Sequence, residues 1–179
     1  MGRTLKWFDR AFWLIVILAI YTAIPATAGP ENIGKWNAPS ATTTLMTDEQ
    51  LGNLGDNVIS RASATVSNQT SLNLYGDCEL HLSALTPGSG RFITAYILAA
   101  IDGSTFPDHS AATLRHQATQ MLTTFALHNT AAAGQRIVVR NLLFPPAAFR
   151  VALDNQAGGV LSGQGNTLKC NFYNVNLNG

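Results

Sequence analysis

Residues 142–173 constrain this chain more than any other stretch. Phe149, Val151 and Leu153 alternate with Arg150, Ala152 and Asp154. Leu168, Cys170 and Phe172 alternate with Lys169, Asn171 and Tyr173. A period of two sends successive side chains to opposite faces, so both runs read as half-buried β-strands. Asn155, Gly158, Gly159, Gly163, Gly165 and Asn166 lie between them, and these residue types tolerate the positive φ that a reversal needs. Pro145 and Pro146 cannot donate to a β-ladder and mark the break before the first run. The pair specifies a sheet protein and is silent about chemistry.

The same grammar continues upstream. Cys78, Leu80, Leu82 and Ala84 alternate with Glu79, His81 and Ser83, and residues 63–74 alternate Thr, Val and Ser. Residues 92–101 are apolar on both alternating sets, as in a central strand covered on both faces. Residues 121–127 read as a strand, and so do 136–143, with Ile137 and Val139 on one face. Two short helices are expected, one at 111–120 and one at 47–54. The second would be capped by Thr47, with Gln50 three residues on. Turns fall at 87–90, at Asp102-Gly103-Ser104, at Pro107-Asp108 and at 129–134. About seven strands at this spacing predict an all-β domain, a β-sandwich or jelly-roll-like fold, over residues 45–179.

What precedes that domain is of another kind. Arg3, Lys6 and Arg10 lead into the uncharged run 11–24, which contains Phe12, Trp13, Leu14, Ile15, Val16, Ile17, Leu18, Ile20 and Tyr21. Ala26 and Ala28 then supply an A-x-A ending, so residues 1–28 read as a secretory signal peptide. Two other readings stand beside it. One is a retained membrane anchor, although the run is short for a spanning helix and extension to Leu5 would bury Asp9 and Arg10. The other is a hydrophobic helical arm that packs into protein neighbours. Residues 29–44, rich in Pro, Gly, Asn, Ser and Thr, form a linker.

The chemistry of the domain is sparse. Net charge is +1 with 12% charged residues, which supplies no basic stripe for a nucleic acid. His81, His109, His116 and His128 have no metal-ligand spacing and read as surface side chains, even with His109 beside Asp108. Asp102-Gly103-Ser104 lacks the acidic ligands that complete a calcium loop, and the 158–165 glycines lack the Lys and helix of a phosphate loop. No carboxylate pair, nucleophile elbow or Cys/His arrangement is present in the sequence, so no catalytic, cofactor or metal residues are assigned. Cys78 and Cys170 fall in the apolar register of their strands, either as a bridge in an oxidising compartment or as two buried thiols. Asn68-Gln69-Thr70 has the form of a glycosylation sequon, a triplet common by chance. Trp7, Trp13 and Trp36 all precede the domain, which weakens a module that stacks sugars on exposed tryptophan.

Four motifs carry a resemblance. They are Asp102-Gly103-Ser104 after a strand, Gln135-Arg136 before one, Pro145-Pro146 before the next, and the closing Gly165-Asn166-Thr167-Leu168-Lys169. Over about residues 45–173 the chain resembles small β-sandwich virion proteins of tailed bacteriophages. The resemblance implies a non-enzymatic structural subunit in the virion, on the capsid as a decoration protein or associated with the tail. Its implied partners are other virion subunits and copies of itself, with no nucleic acid and no cofactor; membrane contact, where it occurs, belongs to the anchor reading of residues 1–28. The hydrophobic start departs from that pattern and supports the alternative, an exported bacterial binding module for carbohydrate or a cell-surface partner, secreted or periplasmic after signal cleavage.

Overall fold

The computed structural model describes residues 35–36, 40–85, 87–88, 91–107, 120–128 and 134–176. The chain divides into two units, Met1–Lys35 with Leu177–Gly179, and Trp36–Asn176. Apart from Lys35, the described residues all belong to the second unit. The expected signal or packing arm from Phe12 to Tyr21, residues 111–119 of the expected helix, His109 and His116 lie outside the described residues.

The elements run β1 (Lys35–Trp36), β2 (Thr43–Met46), α1 (Asp48–Leu51), β3 (Val58–Ile59), β4 (Val66–Ser67), β5 (Tyr75–Leu82), β6 (Phe92–Ala100), β7 (Met121–Ala126), β8 (Gln135–Leu143), β9 (Ala148–Gln156), β10 (Thr167–Tyr173) and β11 (Val175–Asn176). One sheet has the order β2-β10-β5-β8. The other has β3-β9-β6-β7, with β4 also alongside β9. All of these pairings are antiparallel. The partners nest: β6 with β7, β5 with β8, β3 and β4 with β9, and β2 with β10. A long antiparallel hairpin rolled so that its paired strands pass alternately into two sheets is a jelly roll, the arrangement that closes two Greek keys on one core. The chain is an all-β sandwich of this kind.

The core lies between the sheets. Leu80, Leu82 and Leu168 come from one sheet, and Ile93, Phe149, Val151 and Leu153 from the other, each essentially without solvent contact. At one end Phe144, Phe149 and Phe172 meet ring to ring at 4.9–6.0 Å between centroids, Phe172 edge-on to the other two as aromatic quadrupoles favour, and Phe144 tilted against Phe149. Gly76 makes room for this cluster. A Cβ there would stand 2.7 Å from Phe144 Cε2.

The alternation expected of β5 and β10 is present through Leu82 and Phe172, each strand showing a buried and a wetter face. Tyr173, expected outward, is buried, however, and Ala84, expected inward, is exposed beyond the end of β5. In β9 the alternation fails. Ala152 and Asp154, expected on a solvent face, are fully buried, so the strand is covered on both sides. The cover on the outer side includes a second small cluster, Tyr96, Leu98 and Ala152, with Ile59 and Ala62 packed against it. Asp154 there accepts a hydrogen bond from Gln156 Nε2 at 2.6 Å. The two-faced burial expected of residues 92–101 holds through Ala100 but stops short of Ile101, which is 98% exposed just beyond the strand end.

Three other expectations shift. The long strand read at 63–74 reduces to Val66–Ser67. Upstream of it, serine hydroxyls take over the ladder: Leu153 N–H donates to Ser60 Oγ and Val151 N–H to Ser63 Oγ, at 3.0 and 2.9 Å. The serine N–H groups return bonds to the Leu153 and Val151 carbonyls. Thr43 and Thr44, read as linker, already pair with Cys170 and Lys169. The Thr47 capping box with Gln50 forms as expected, but α1 ends at Leu51, with Gly52 as its C-cap, rather than at residue 54. Nor do Asn155 and Asn166 serve the chain reversal through positive φ, which Gly158 and Gly165 supply. Their carboxamides act instead. Asn155 Nδ2 lies 2.9 Å from the carbonyls of Leu54, Gly55 and Gly159, and Asn166 Nδ2 donates to Asp48 Oδ1 and Ser162 O.

Candidate functional site

The outer face of the four-stranded sheet carries a set of polar side chains. Register builds it in cross-strand rows: Thr167, His81 and Arg136; Lys169, Glu79 and Val138; Asn171 and Asp77; then Tyr173, Tyr75 and Leu143. Near its middle is a hollow of about 330 Å³ lined by Thr42, Asp77, Glu79, Val138, Arg140, Lys169 and Asn171, with the backbone of the cysteine pair as floor.

Its electrostatics follow from the register. Glu79 faces Lys169 across one strand pair and Val138 across the other, so Arg136 and Arg140 sit at its two diagonals on β8. The carboxylate joins Arg136, with Nη1 and Oε1 3.3 Å apart. Asp77 is also engaged. It accepts from the Asn141 N–H at 2.9 Å, and the Tyr173 hydroxyl lies 2.8 Å away. Burial, and then the Asp77 carboxylate beside it, push the Tyr173 phenol above its ordinary value. Asn141 adopts φ +57 where β8 bulges opposite Asp77, which places its N–H on that carboxylate. Lys169 and Arg140 make no ion pair among the described residues, and the Asn171 carboxamide oxygen is buried without a hydrogen-bond partner.

Beneath the hollow, Cys78 and Cys170 stand directly opposite one another on β5 and β10 and are bonded, with Cα atoms 4.1 Å apart. Of the two sequence readings, bridge or buried thiols, the structure has the bridge, and it joins an early and a late strand that lie side by side in one sheet. Both sulfurs belong to the main core.

A second surface is apolar. Ile101, Phe106 and Pro107, with Ala99, Asp102 and Thr105, outline a shallow hollow of about 460 Å³ beside the turn after β6. The Arg150 guanidinium lies 4.1 Å from the centre of the Phe106 ring. Asp102 holds the turn by accepting from the Ser104 and Thr105 N–H groups. The bonds from Thr105, followed by that from Ser104, draw its carboxyl down to about 2.

The remaining sequence candidates do not converge. His81 is half-buried in the polar rows, and His128 is exposed with its N–H on Gln135 Oε1. Among the described residues no group of three His, Cys, Asp or Glu side chains could hold a metal ion, and no helix is long and apolar enough to cross a membrane. Asn68, the sequon asparagine, is buried. Its Nδ2 donates to the carbonyls of Asn73 and Pro145, and its Oδ1 accepts from the Asn73 N–H, all at 2.8 Å. The sequence reading missed Lys169, Arg140, Asp77 and Asn171 as a set. Their only signal was a place on the outward-facing half of each alternation.

No protein-family model matches the chain, and no curated protein is significantly similar to it.

Proposed function

We propose that this chain is a non-enzymatic structural subunit of a bacteriophage virion, seated on the capsid or tail surface and acting through protein–protein packing with other subunits and with copies of itself. The observation that carries this is the nested strand order, a double-sheet jelly roll of the kind used for viral capsid domains. Exposed large apolar side chains at separate points of the roll, Ile101, Met121, Leu143 and Val160 among them, suit a subunit with several neighbours. The buried-arm reading of residues 1–28 supplies a means of attachment.

A second reading, an exported binding module, is favoured by the Cys78–Cys170 bond, because such bonds persist in oxidising compartments. One experiment separates the two. Particles purified by density gradient from the native source are analysed for intact mass and N-terminal sequence. The virion reading expects the chain in stoichiometric amount, starting at Met1 or Gly2. A chain found only outside particles, with a mature start at Gly29, overturns it in favour of export.

A further inference from the structure

We infer that the hollow on the outer face of the four-stranded sheet binds an acidic saccharide, a polyhydroxylated ligand with one anionic group. The inference does not depend on whether the domain is built into a particle or exported. It rests on which polar atoms the register leaves uncommitted.

Lys169 and Arg140 reach the hollow from opposite sides of Glu79. That carboxylate is drawn to Arg136, and Asp77 is held by Asn141 and Tyr173, so neither acid is ion-paired with the two cations. Lys169 and Arg140 offer only donors and positive charge, which a carboxylate or similar anion satisfies. The same wall also presents acceptors that want donors. Glu79 Oε2 and Asp77 Oδ2 carry no hydrogen bond among the described residues. A bare anion would meet those acceptors as repulsion, and a neutral sugar would leave both cations unused. Hydroxyl groups beside a single anionic group match both sets. Thr42 adds a hydroxyl at the rim and Val138 an apolar contact, and about 330 Å³ suits a ligand of one sugar residue. Recognition here is by charge and hydrogen bonding, so it needs no tryptophan platform.

The test is isothermal titration calorimetry of the full chain with glucuronate, N-acetylneuraminate, glucose and inorganic phosphate. At least one of the two acids should bind, with glucose and phosphate each weaker by about tenfold or more, the scale of one charge-assisted hydrogen bond. Lys169→Ala and Arg140→Ala should each weaken the acid by a similar factor. Asn171→Asp should weaken it as well, by repulsion. Thermal unfolding of each variant provides the folding control, and Lys169→Arg should retain binding. Uptake of neither acid by the wild-type chain overturns the inference. So does glucose or phosphate binding as tightly as the acid, or folded Lys169→Ala and Arg140→Ala variants that bind like wild type. None of these results bears on the virion reading.

Discussion

The two sheets of the roll use their outer faces differently. Along β5 and along β10 up to Asn171 every second side chain meets water, and the outer positions hold Asp77, Glu79, His81, Lys169 and Asn171. In β6 and β9 the outer positions hold Thr94, Tyr96, Leu98, Ala152 and Asp154, all buried, with Phe92 and Arg150 half-buried toward the strand ends. The inner faces are alike. A strand's alternation is therefore a record of what covers its second face, and a polar wall survives only where nothing described covers it. That is why the candidate binding hollow lies on the four-stranded sheet.

The largest test of this contrast is a set of truncations. Phe149→Ala, in the shared core, should cost about 3–5 kcal/mol, and Leu98→Ala, on the covered outer face, about 2–5 kcal/mol. Val138→Ala, on the wet outer face, should stay within about 0.5 kcal/mol. Denaturant unfolding measures all three. A Leu98 loss as small as that of Val138 would abolish the difference between the sheets.

The disulfide comes next. Opening a bond that spans 92 residues should lower stability by about 2–5 kcal/mol, since it frees the unfolded chain from a long loop. Unfolding of the Cys78→Ala/Cys170→Ala double variant reads this directly, and an unchanged midpoint would remove the bond from the account of the four-stranded sheet.

Asn68→Ala should cost about 1–3 kcal/mol, because it strands the Asn73 N–H and two carbonyls that its carboxamide satisfies. Intact-mass measurement after expression in a glycosylating host should show no glycan there. Occupancy of Asn68 would contradict its burial.

The smallest effect concerns acid. The Asp48 carboxylate accepts from the N–H groups of Asn166 and Gly165, each at 2.7 Å, and tethers the loop before β10 to α1. The Asn166 backbone bond, against some opposing burial, holds its pKa below the usual 3.8. A lowered carboxyl pKa stabilises the fold above the unfolded value, and that contribution disappears as pH falls through the folded value. The melting-temperature gap between wild type and Asp48→Ala should therefore be full at pH 5 and narrow below about pH 3.8. A gap that is constant across that range would show that the carboxylate charge is not what holds the loop.

Local spacing alone determined that the chain is a β protein. It also determined which residues of β5 and β10 face the core, where α1 starts, and that Cys78 and Cys170 lie on core faces. These depend on the two-residue repeat of the pleat and on a capping side chain reaching its own first turn, both properties of neighbours in sequence. Pairing was decided elsewhere. The Phe172 N–H donates to Ser40 Oγ across 132 residues, and nothing in either segment names the other. Burial of Ala152 depended on Ile59 and Ala62 arriving from another part of the chain, so the alternation alone read its face as exposed. Lys169 and Arg140 were ordinary surface cations in sequence. Only the antiparallel register of β10, β5 and β8 set them on one wall with Asp77 and Asn171, because which side chains share a surface is a property of strand pairing and not of any one strand.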